Sequence, residues 1–203
     1  MLQEQGMAST GVPALDQALG GLFWGDNVVW ESRQEASVEP FFRSVASLAA
    51  GYQEALYVAL TRAPEDVAVA YPDLAVIDAR PGSPLAKPAP LLRAVVERCS
   101  PDRRTLLLFD PLDAMVERWG LEMARLFFTR TCPILLELGG IAYWSLTGDC
   151  REILSRDVEA TTQCVIAVED GRLRIVKAEG RRPGTEGTVF RYRLEEGRPI
   201  VEP

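Results

Sequence analysis

The sequence of 203 residues contains no histidine, and its cysteines stand far apart without a C-x-x-C spacing. Histidine is the commonest general base, and histidine and cysteine are the usual ligands of zinc. The composition therefore argues against a histidine-based catalytic triad and against a zinc site. Widely spaced cysteines are typical of buried free thiols in a reducing compartment. They are Cys99, Cys132, Cys150 and Cys164.

Long apolar runs are also lacking. No segment approaches the roughly eighteen apolar residues that a membrane span needs, and the first residues, MLQEQG, have neither the basic nor the apolar region of a signal peptide. We therefore expect a cytoplasmic protein without a membrane partner. Positive charge is scarce as well, since 22 Lys and Arg stand against 29 Asp and Glu. Nucleic acid is possible as a partner but not favoured, because phosphate contacts need clustered basic residues.

The overall composition, with 47% hydrophobic and 25% charged residues, is typical of a globular domain. The length suits a single domain over residues 1–203, with 1–8 as a flexible N-terminus. Strand and helix patterns alternate before a β-rich end, and Asp170-Gly171 is a hairpin signal. The pattern predicts an α/β fold, a mostly parallel twisted sheet flanked by helices with a C-terminal antiparallel meander. Pro133 is expected to separate two helices.

The clearest motif lies near the N-terminus. An apolar strand from Asn27 to Trp30 is followed by a loop and by a helix opening at Pro40, the frame of a phosphate-binding loop. The preceding residues resemble the N-terminal signature of the RecA/KaiC family of P-loop ATPases. They are Thr10-Gly11-Val12-Pro13-Ala14-Leu15-Asp16, Leu19-Gly20-Gly21-Leu22 and Gly25. The resemblance covers residues 10–201 and implies a RecA-like core.

The resemblance also indicates that the Walker A motif is not intact. In the family the strand runs into G-x-x-x-x-G-K-[ST]; here Ser32 and Ser37 stand at the two glycines, Val38 at the lysine and Glu39 at the magnesium-holding Ser/Thr. Side chains at the glycine positions hinder close approach of the backbone to phosphate, and a valine offers no cation. Three acidic residues are expected to place negative charge where a triphosphate would lie and so to repel it. They are Glu31, Glu35 and Glu39.

Two further positions bear on ATP hydrolysis. Where the family has a water-activating glutamate after the next strand, this chain has Thr61-Arg62. Asp110 ends the apolar run from Thr105 and resembles the Walker B aspartate, which orients magnesium-bound water in the family. An aspartate at the end of a parallel strand equally serves as a cap for the following segment, and both interpretations stay open.

The C-terminal region carries the last of these positions. In KaiC-like proteins a K-x-R-G segment reaches the ATP site of the neighbouring subunit, and this chain reads Lys177-Ala178-Glu179-Gly180. The lysine remains, but the arginine finger is replaced by Glu179, which reverses its charge. Arg181 and Arg182 follow at once and could compensate through a shift of register.

The joint loss of these features favours a catalytically inactive pseudo-ATPase with no catalytic residues, cofactor or metal. It would act as a regulatory or scaffolding module that binds a protein partner or an active homologue, or forms a homo-oligomer. Four aromatic residues near the former cleft are interpreted as core or as contact residues: Trp24, Trp30, Phe41 and Phe42.

Two other functions remain open. The first is an accessory protein of DNA recombination or repair, supported by a C-terminal basic cluster. The cluster comprises Arg172, Arg174, Lys177, Arg181, Arg182, Arg191, Arg193 and Arg198. The second is a sensor that binds ATP without hydrolysing it, which rests on Asp110 and Lys177. Binding of single-stranded DNA in a salt-dependent manner would distinguish the first from a protein-interaction module.

Overall fold

The computed structural model describes residues 7–202. Of the segment expected to be flexible, residues 1–6 lie outside this part of the chain. The backbones of Ala8 and Leu22 form two hydrogen bonds. The nitrogen of Ala8 lies 2.9 Å from the carbonyl oxygen of Leu22, and the nitrogen of Leu22 lies 2.7 Å from the carbonyl oxygen of Ala8.

Strands and helices alternate through the described chain as the pattern predicts. The strands are β1 (Asn27–Ser32), β2 (Glu54–Ala59), β3 (Ala75–Asp78), β4 (Thr105–Phe109), β5 (Ile141–Leu146), β6 (Cys164–Glu169), β7 (Arg172–Ala178), β8 (Val189–Glu195) and β9 (Arg198–Glu202). The helices are α1 (Pro13–Leu19), α2 (Glu39–Ala46), α3 (Pro64–Ala70), α4 (Pro88–Arg98), α5 (Leu112–Trp119), α6 (Leu121–Leu138) and α7 (Cys150–Thr161). Short 3₁₀ turns span Glu35–Ser37 and Ala49–Gly51.

All of these strands join one sheet in the order β3-β2-β4-β5-β1-β6-β7-β8-β9. The first six are parallel to their neighbours, and β1 lies between β5 and β6. From β6 onward each strand pairs antiparallel with the next, and the turn at Asp170-Gly171 joins β6 to β7. The prediction of a mostly parallel sheet with a C-terminal antiparallel meander is confirmed.

Helices cover both faces of the parallel part of the sheet. One apolar cluster lies under α1, α2 and α3 and contains Leu15, Phe41 and Val67. The other lies under α4 to α7 and contains Leu91 and Phe127. Because both faces are covered, the central strands are buried along their whole length, as parallel strands usually are.

The expected break at Pro133 is wrong. Pro133 lies inside α6, and the break falls at Gly120, between α5 and α6. Gly120 has φ 80° and ψ 158°, a region that is essentially open to glycine alone. A proline inside a helix costs about 3 kcal/mol, but the flanking turns bury Phe128 and Leu135, and each such side chain contributes about 1.5 to 3 kcal/mol.

The N-terminal signature has a structural explanation. The carboxylate of Asp16 accepts hydrogen bonds from the backbone N–H and the hydroxyl of Thr10, both at 2.7 Å. Between them Gly11 has φ 77°, and a Cβ there would lie 2.7 Å from the backbone of Ser44. These residues therefore hold the segment before α1 closely against α2, the helix that follows the loop after β1.

Candidate functional site

The loop between β1 and α2 folds back on its own backbone. The N–H of Gln34 donates to the hydroxyl of Ser32 at 3.2 Å, and the N–H of Ser37 donates to the carbonyl of Gln34 at 3.1 Å. Among the described residues Glu196 is the only non-glycine residue with positive φ. Ser32 and Ser37 therefore lie in ordinary backbone conformations, and the loop has no strained position that would require glycine.

Val38 lies in the core instead of at a ligand site. It immediately precedes α2, its side chain is only 2% exposed, and it belongs to the cluster that contains Phe42 and Tyr57. A lysine at this position would have to bury its ammonium group or force the loop outward. The position that carries the phosphate-binding cation in the family thus contributes to packing here.

Glu39, the first residue of α2, forms an ion pair with Arg62. The guanidinium Nη2 lies 2.9 Å from Glu39 Oε2, and the two side chains are 28% and 23% exposed. Arg43, one turn further along α2, donates to the other carboxylate oxygen at 3.2 Å. Burial by itself would raise the pKa of Glu39, but the hydrogen bond and charge of Arg62 outweigh it and lower that pKa.

Asp110 is a fully buried cap for the segment after β2. Its Oδ2 accepts hydrogen bonds from the backbone N–H groups of Leu60 and Thr61, both at 2.7 Å, and from the Thr61 hydroxyl at 2.9 Å. Its Oδ1 accepts one from the Tyr57 hydroxyl at 2.6 Å. Both carboxylate oxygens are therefore used by the chain itself, which agrees with the interpretation of Asp110 as a cap.

These residues converge on one small cavity. Arg62 Nε lies 4.0 Å from Asp110 Oδ1, so the guanidinium group stands between the carboxylates of Glu39 and Asp110. The cavity beside it has a volume of about 10 Å³, which is room for roughly one water molecule. Its walls are Val38, Glu39, Phe42, Tyr57, Arg62, Phe109, Pro111 and Ser145. Within residues 7–202 no group of three or more Asp, Glu, Cys or His side chains is arranged to hold a metal ion.

The predicted concentration of unbalanced negative charge is wrong for two of its three residues. Glu39 is paired with arginine, and Glu31 is buried with its Oε2 3.4 Å from Nε of Arg151 on α7. The other oxygen of Glu31 is buried without a hydrogen-bond partner among the described residues. Burial raises the pKa of Glu31, and Arg151 opposes that shift. The side chain of Glu35 lies outside the described part of the structure.

Lys177 and Glu179, predicted from the resemblance to correspond to a trans-acting segment, contact their own chain. Lys177 Nζ donates to the carbonyls of Glu159, at 2.8 Å, and Thr162, and pairs with Glu179 Oε2 at 2.8 Å. The lysine therefore binds carbonyl groups at the C-terminal end of α7, where a cation is favoured by the helix dipole.

Arg181 does not replace the missing arginine finger. Its guanidinium group forms an ion pair with Asp26, and the side chains of both residues are 2% exposed. It also lies 3.9 Å over the ring of Phe23. A buried arginine held by a buried carboxylate cannot reach a neighbouring subunit, so the proposed shift of register is wrong for Arg181.

Three of the four aromatic residues near the loop are core residues. Trp30, Phe41 and Phe42 are buried, and the rings of Trp30 and Phe41 stack with centroids 4.8 Å apart. Trp24 is partly exposed and packs edge-on against Tyr52 at 5.8 Å. Trp30 and Phe41 therefore serve in packing, and Phe42 also forms part of the wall of the cavity beside Arg62.

Some side chains of the C-terminal basic cluster form ion pairs within the chain, and the others are exposed without one among the described residues. Lys177 and Arg181 point inward, and Arg193 pairs with Glu195 at 2.9 Å and with Glu202. Within the described chain the remaining members are exposed and form no ion pair. They are Arg172, Arg174, Arg182, Arg191 and Arg198.

Sequence reasoning missed the pairing of Glu39 with Arg62 and the function of Arg118. The signal for the first was available, because an acid at position 39 and a base at position 62 are complementary replacements. Arg118 donates from Nη1 to the carbonyls of Leu60 and Ala79, at 3.1 and 2.6 Å, and so joins the ends of β2 and β3. No local pattern around Arg118 indicates this contact.

Comparison with known proteins identifies the fold. No protein-family model matches the chain, and no curated protein matches its sequence. The crystal structure of a KaiC-like protein from the hyperthermophilic archaeon Pyrococcus horikoshii OT3 resembles it with a TM-score of 0.75 at 17% sequence identity. The match covers 98% of this chain and 99% of that chain. The chain therefore has a KaiC-like, RecA-type α/β fold.

A search for membrane-crossing segments in residues 7–202 finds no helix of the necessary length and apolar character.

Proposed function

We propose that this KaiC/RecA-like domain is a pseudo-ATPase, which neither binds ATP in the former cleft nor hydrolyses it, and that it acts as a regulatory or scaffolding protein-interaction module. The observation that carries the proposal is the ion pair of Glu39 with Arg62 at the start of α2.

The ion pair stands where the resemblance places magnesium chemistry. Positions 39, 62 and 110 correspond to the metal-holding Ser/Thr, the neighbourhood of the water-activating glutamate and the Walker B aspartate. The guanidinium group of Arg62 lies 2.9 Å from Glu39 and 4.0 Å from Asp110, so a cation of the chain lies between both carboxylates. Displacing it would leave a half-buried carboxylate unpaired, at a cost of about 1 to 3 kcal/mol.

The phosphate-binding side of the site supports the same proposal. Val38 is in the core, and the N–H groups of Gln34 and Ser37 are already bonded within the loop. The cavity beside Arg62 holds only about 10 Å³. The wider depression over Ser32, Gln34 and Ser37, about 540 Å³, contains no lysine, and it sets the acids Glu169 and Asp170 beside Arg33 and Arg172. These residues do not fit Mg·ATP in the manner of an intact P-loop, and we derive no catalytic step from it.

The ATP-sensor alternative finds less support. It rests on Asp110 and Lys177, and both side chains are occupied by contacts within the chain. The DNA alternative retains the exposed arginines of β7 and β8, and it is an outcome of the experiment described in the next subsection.

Thermal unfolding with and without a large excess of Mg·ATP tests the proposal. A ligand that binds only the folded state adds about 2.7 kcal/mol at a hundred times its dissociation constant, which raises the midpoint by several degrees for a domain of this size. We expect no shift for this chain, and a clear shift for a P-loop ATPase with an intact Walker A motif measured in parallel. A reproducible rise in this chain's midpoint would overturn the proposal.

Light scattering of the purified chain separates two forms of the module. A mass above that of one chain indicates a homo-oligomer, and a monomeric mass indicates that the partner is a different protein.

A further inference from the structure

The outward face of β7 and β8 is left uncovered by the helices. Leu173 and Phe190 point to the core beneath α1 and α2, so Arg172, Arg174 and Arg191 lie on the other face, together with Val189. All four are exposed, and Val189 has half of its surface, 50%, open to solvent. We refer to these four residues as the arginine face.

The strand register brings its positive charges together. Arg172 lies directly opposite Arg191, and Arg174 lies directly opposite Val189. Directly opposed side chains on antiparallel strands have Cβ atoms about 4.5 to 5.5 Å apart, and like charges in that position are destabilising. Arg172 and Arg174 are two residues apart on one strand, about 6.6 Å.

Within the described chain no carboxylate forms an ion pair with any of the three arginines, although the protein as a whole carries a net charge of −7. Arg193, two residues further along β8, shows the alternative, because it is held by Glu195 and Glu202. Glu169 and Glu202 stand at the two outer ends of the cross-strand row, but Arg172 and Arg191 face each other in its middle with no ion pair to either acid.

We propose that the arginine face binds an acidic segment of a protein partner. Carboxylates of that segment would pair with Arg172, Arg174 and Arg191, relieving the repulsion across the two strands, while a small apolar side chain covers Val189. Arginine and carboxylate groups form paired, parallel hydrogen bonds that fix orientation as well as adding energy. The proposal rests on the proposed function in one respect, since it names the partner class of the interaction module.

The surroundings favour a protein segment over nucleic acid. Glu169 stands opposite Arg172 on the β6 side, and Glu202 stands opposite Arg191 on the β9 side. A phosphate backbone, which carries charge at every step, would have to pass over one of these acids in either direction. A peptide can place carboxylates over the arginines alone. The depression there, about 110 Å³, is lined by Arg172 and Arg174, by Glu169 at its edge, and by Ala167 and Val189.

Fluorescence anisotropy with two labelled probes tests the proposal. The probes are a decapeptide of alternating glutamate and serine, which can place its carboxylates over the arginines and its serines over the flanking acids, and a thymidine oligonucleotide of the same total charge, measured at low and at raised ionic strength. We expect the wild-type protein to bind the peptide more tightly than the oligonucleotide and to lose affinity with salt. Arg191→Glu should weaken peptide binding by about tenfold or more, because it removes one attraction and adds one repulsion.

Arg130→Glu is the matched control. Arg130 is exposed on α6, so its replacement changes the net charge equally while leaving the arginine face intact, and peptide affinity should stay within about twofold of wild type. Folding is checked by thermal unfolding. In Arg191→Glu the new acid faces Arg172 on one side and Glu202 on the other, so the midpoint should stay within about 2 °C of wild type.

Each other outcome overturns the proposal. They are no peptide binding by the wild-type protein, equal losses in Arg191→Glu and Arg130→Glu, and tighter binding of the oligonucleotide that is lost in Arg191→Glu, which would make nucleic acid the occupant. None of these results depends on the Mg·ATP measurement, so the arginine face can fail while the pseudo-ATPase proposal stands, and the reverse.

Discussion

The start of α2 and the arginine face use charge in opposite ways. At the start of α2, Arg62 is bound to Glu39 and Asp110 is bound to backbone N–H groups, and the cavity beside Arg62 holds about 10 Å³. On β7 and β8, three arginines lie exposed without an ion pair among the described residues. The ionic groups of the first region form contacts within the chain that stabilise the fold, whereas those of the second region are exposed to solvent.

The difference follows from solvation. A buried carboxylate that loses its partners is strongly destabilising, so the charges around the loop must be paired for the chain to fold. An exposed arginine is hydrated and tolerates the lack of a partner. Substitutions near the loop should therefore act on stability, and substitutions on the arginine face should act on binding.

Asp110→Ala should have the largest effect. It removes the acceptor of two backbone N–H groups and the hydroxyls of Thr61 and Tyr57 at a fully buried position, so the free energy of unfolding should fall by about 3 to 5 kcal/mol. Urea denaturation measures it, with the exposed Asp102→Ala as a control that should stay near wild type. A loss below about 1 kcal/mol would contradict the interpretation of Asp110 as a cap.

The ion pair at the start of α2 should give a smaller, measurable coupling. We expect Glu39→Gln and Arg62→Met each to lower the free energy of unfolding, and the double variant to lose about 1 kcal/mol less than the sum, since the two side chains lie 2.9 Å apart and are 23% and 28% exposed. A double-mutant cycle by denaturant unfolding measures this coupling. Strict additivity would mean that the Glu39 and Arg62 side chains do not stabilise each other.

The effect of Glu31→Gln on the free energy of unfolding should depend on pH, and it should change with pH in the direction opposite to that of Glu39→Gln. Burial raises the pKa of Glu31 above its ordinary value of 4.5 against the influence of Arg151, with Glu159 raising it and Arg174 lowering it. Between that value and the raised pKa the folded state binds more protons, so wild-type stability falls as pH rises. The variant escapes this loss, so its stability relative to wild type should rise from acid toward neutral pH.

Glu39 provides the contrast in the same measurement. Its pKa is lowered in the folded state, so its contribution to stability is present above about 4.5 and is lost as pH falls through the lowered pKa. Glu39→Gln should therefore be destabilised at neutral pH and approach wild type in acid. Urea unfolding over this range checks both variants, and parallel curves would contradict the assigned shifts.

Arg193→Ala should have the smallest effect. Its partners Glu195 and Glu202 are more than half exposed, at 56% and 59%, and exposed ion pairs contribute little. We expect an unchanged unfolding midpoint and unchanged binding of the glutamate-serine peptide. A change in peptide affinity would show that the binding surface extends beyond the arginine face.

The sequence predicted the order of the elements because apolar runs, glycines and prolines mark them directly. The Asp170-Gly171 turn between β6 and β7 was predicted from such a local signal. The break at Gly120 was not, because a proline at position 133 gave a stronger local signal than the glycine whose backbone angles end α5.

The candidate site was harder to predict because its contacts join distant parts of the chain. The replacements at positions 32 to 39 were visible in the sequence, but their partners were not: Glu39 contacts Arg62, and Glu31 contacts Arg151. The same holds for Arg181, which pairs with Asp26 across the fold. Counting charges along a loop overestimates repulsion when each acid has a basic partner elsewhere.

The central position of β1 has a consequence for synthesis of the protein. Val28, Val29 and Trp30 are fully buried, yet β1 finds its neighbours only in β5 and β6. Roughly 140 residues must follow β1 before β6 has been made, which takes about 7 to 28 s at 5 to 20 residues per second. During that interval an apolar strand with two open edges is available to other chains. A pause in translation before β6 would prolong that state, so chaperone demand should be highest while the chain is still on the ribosome.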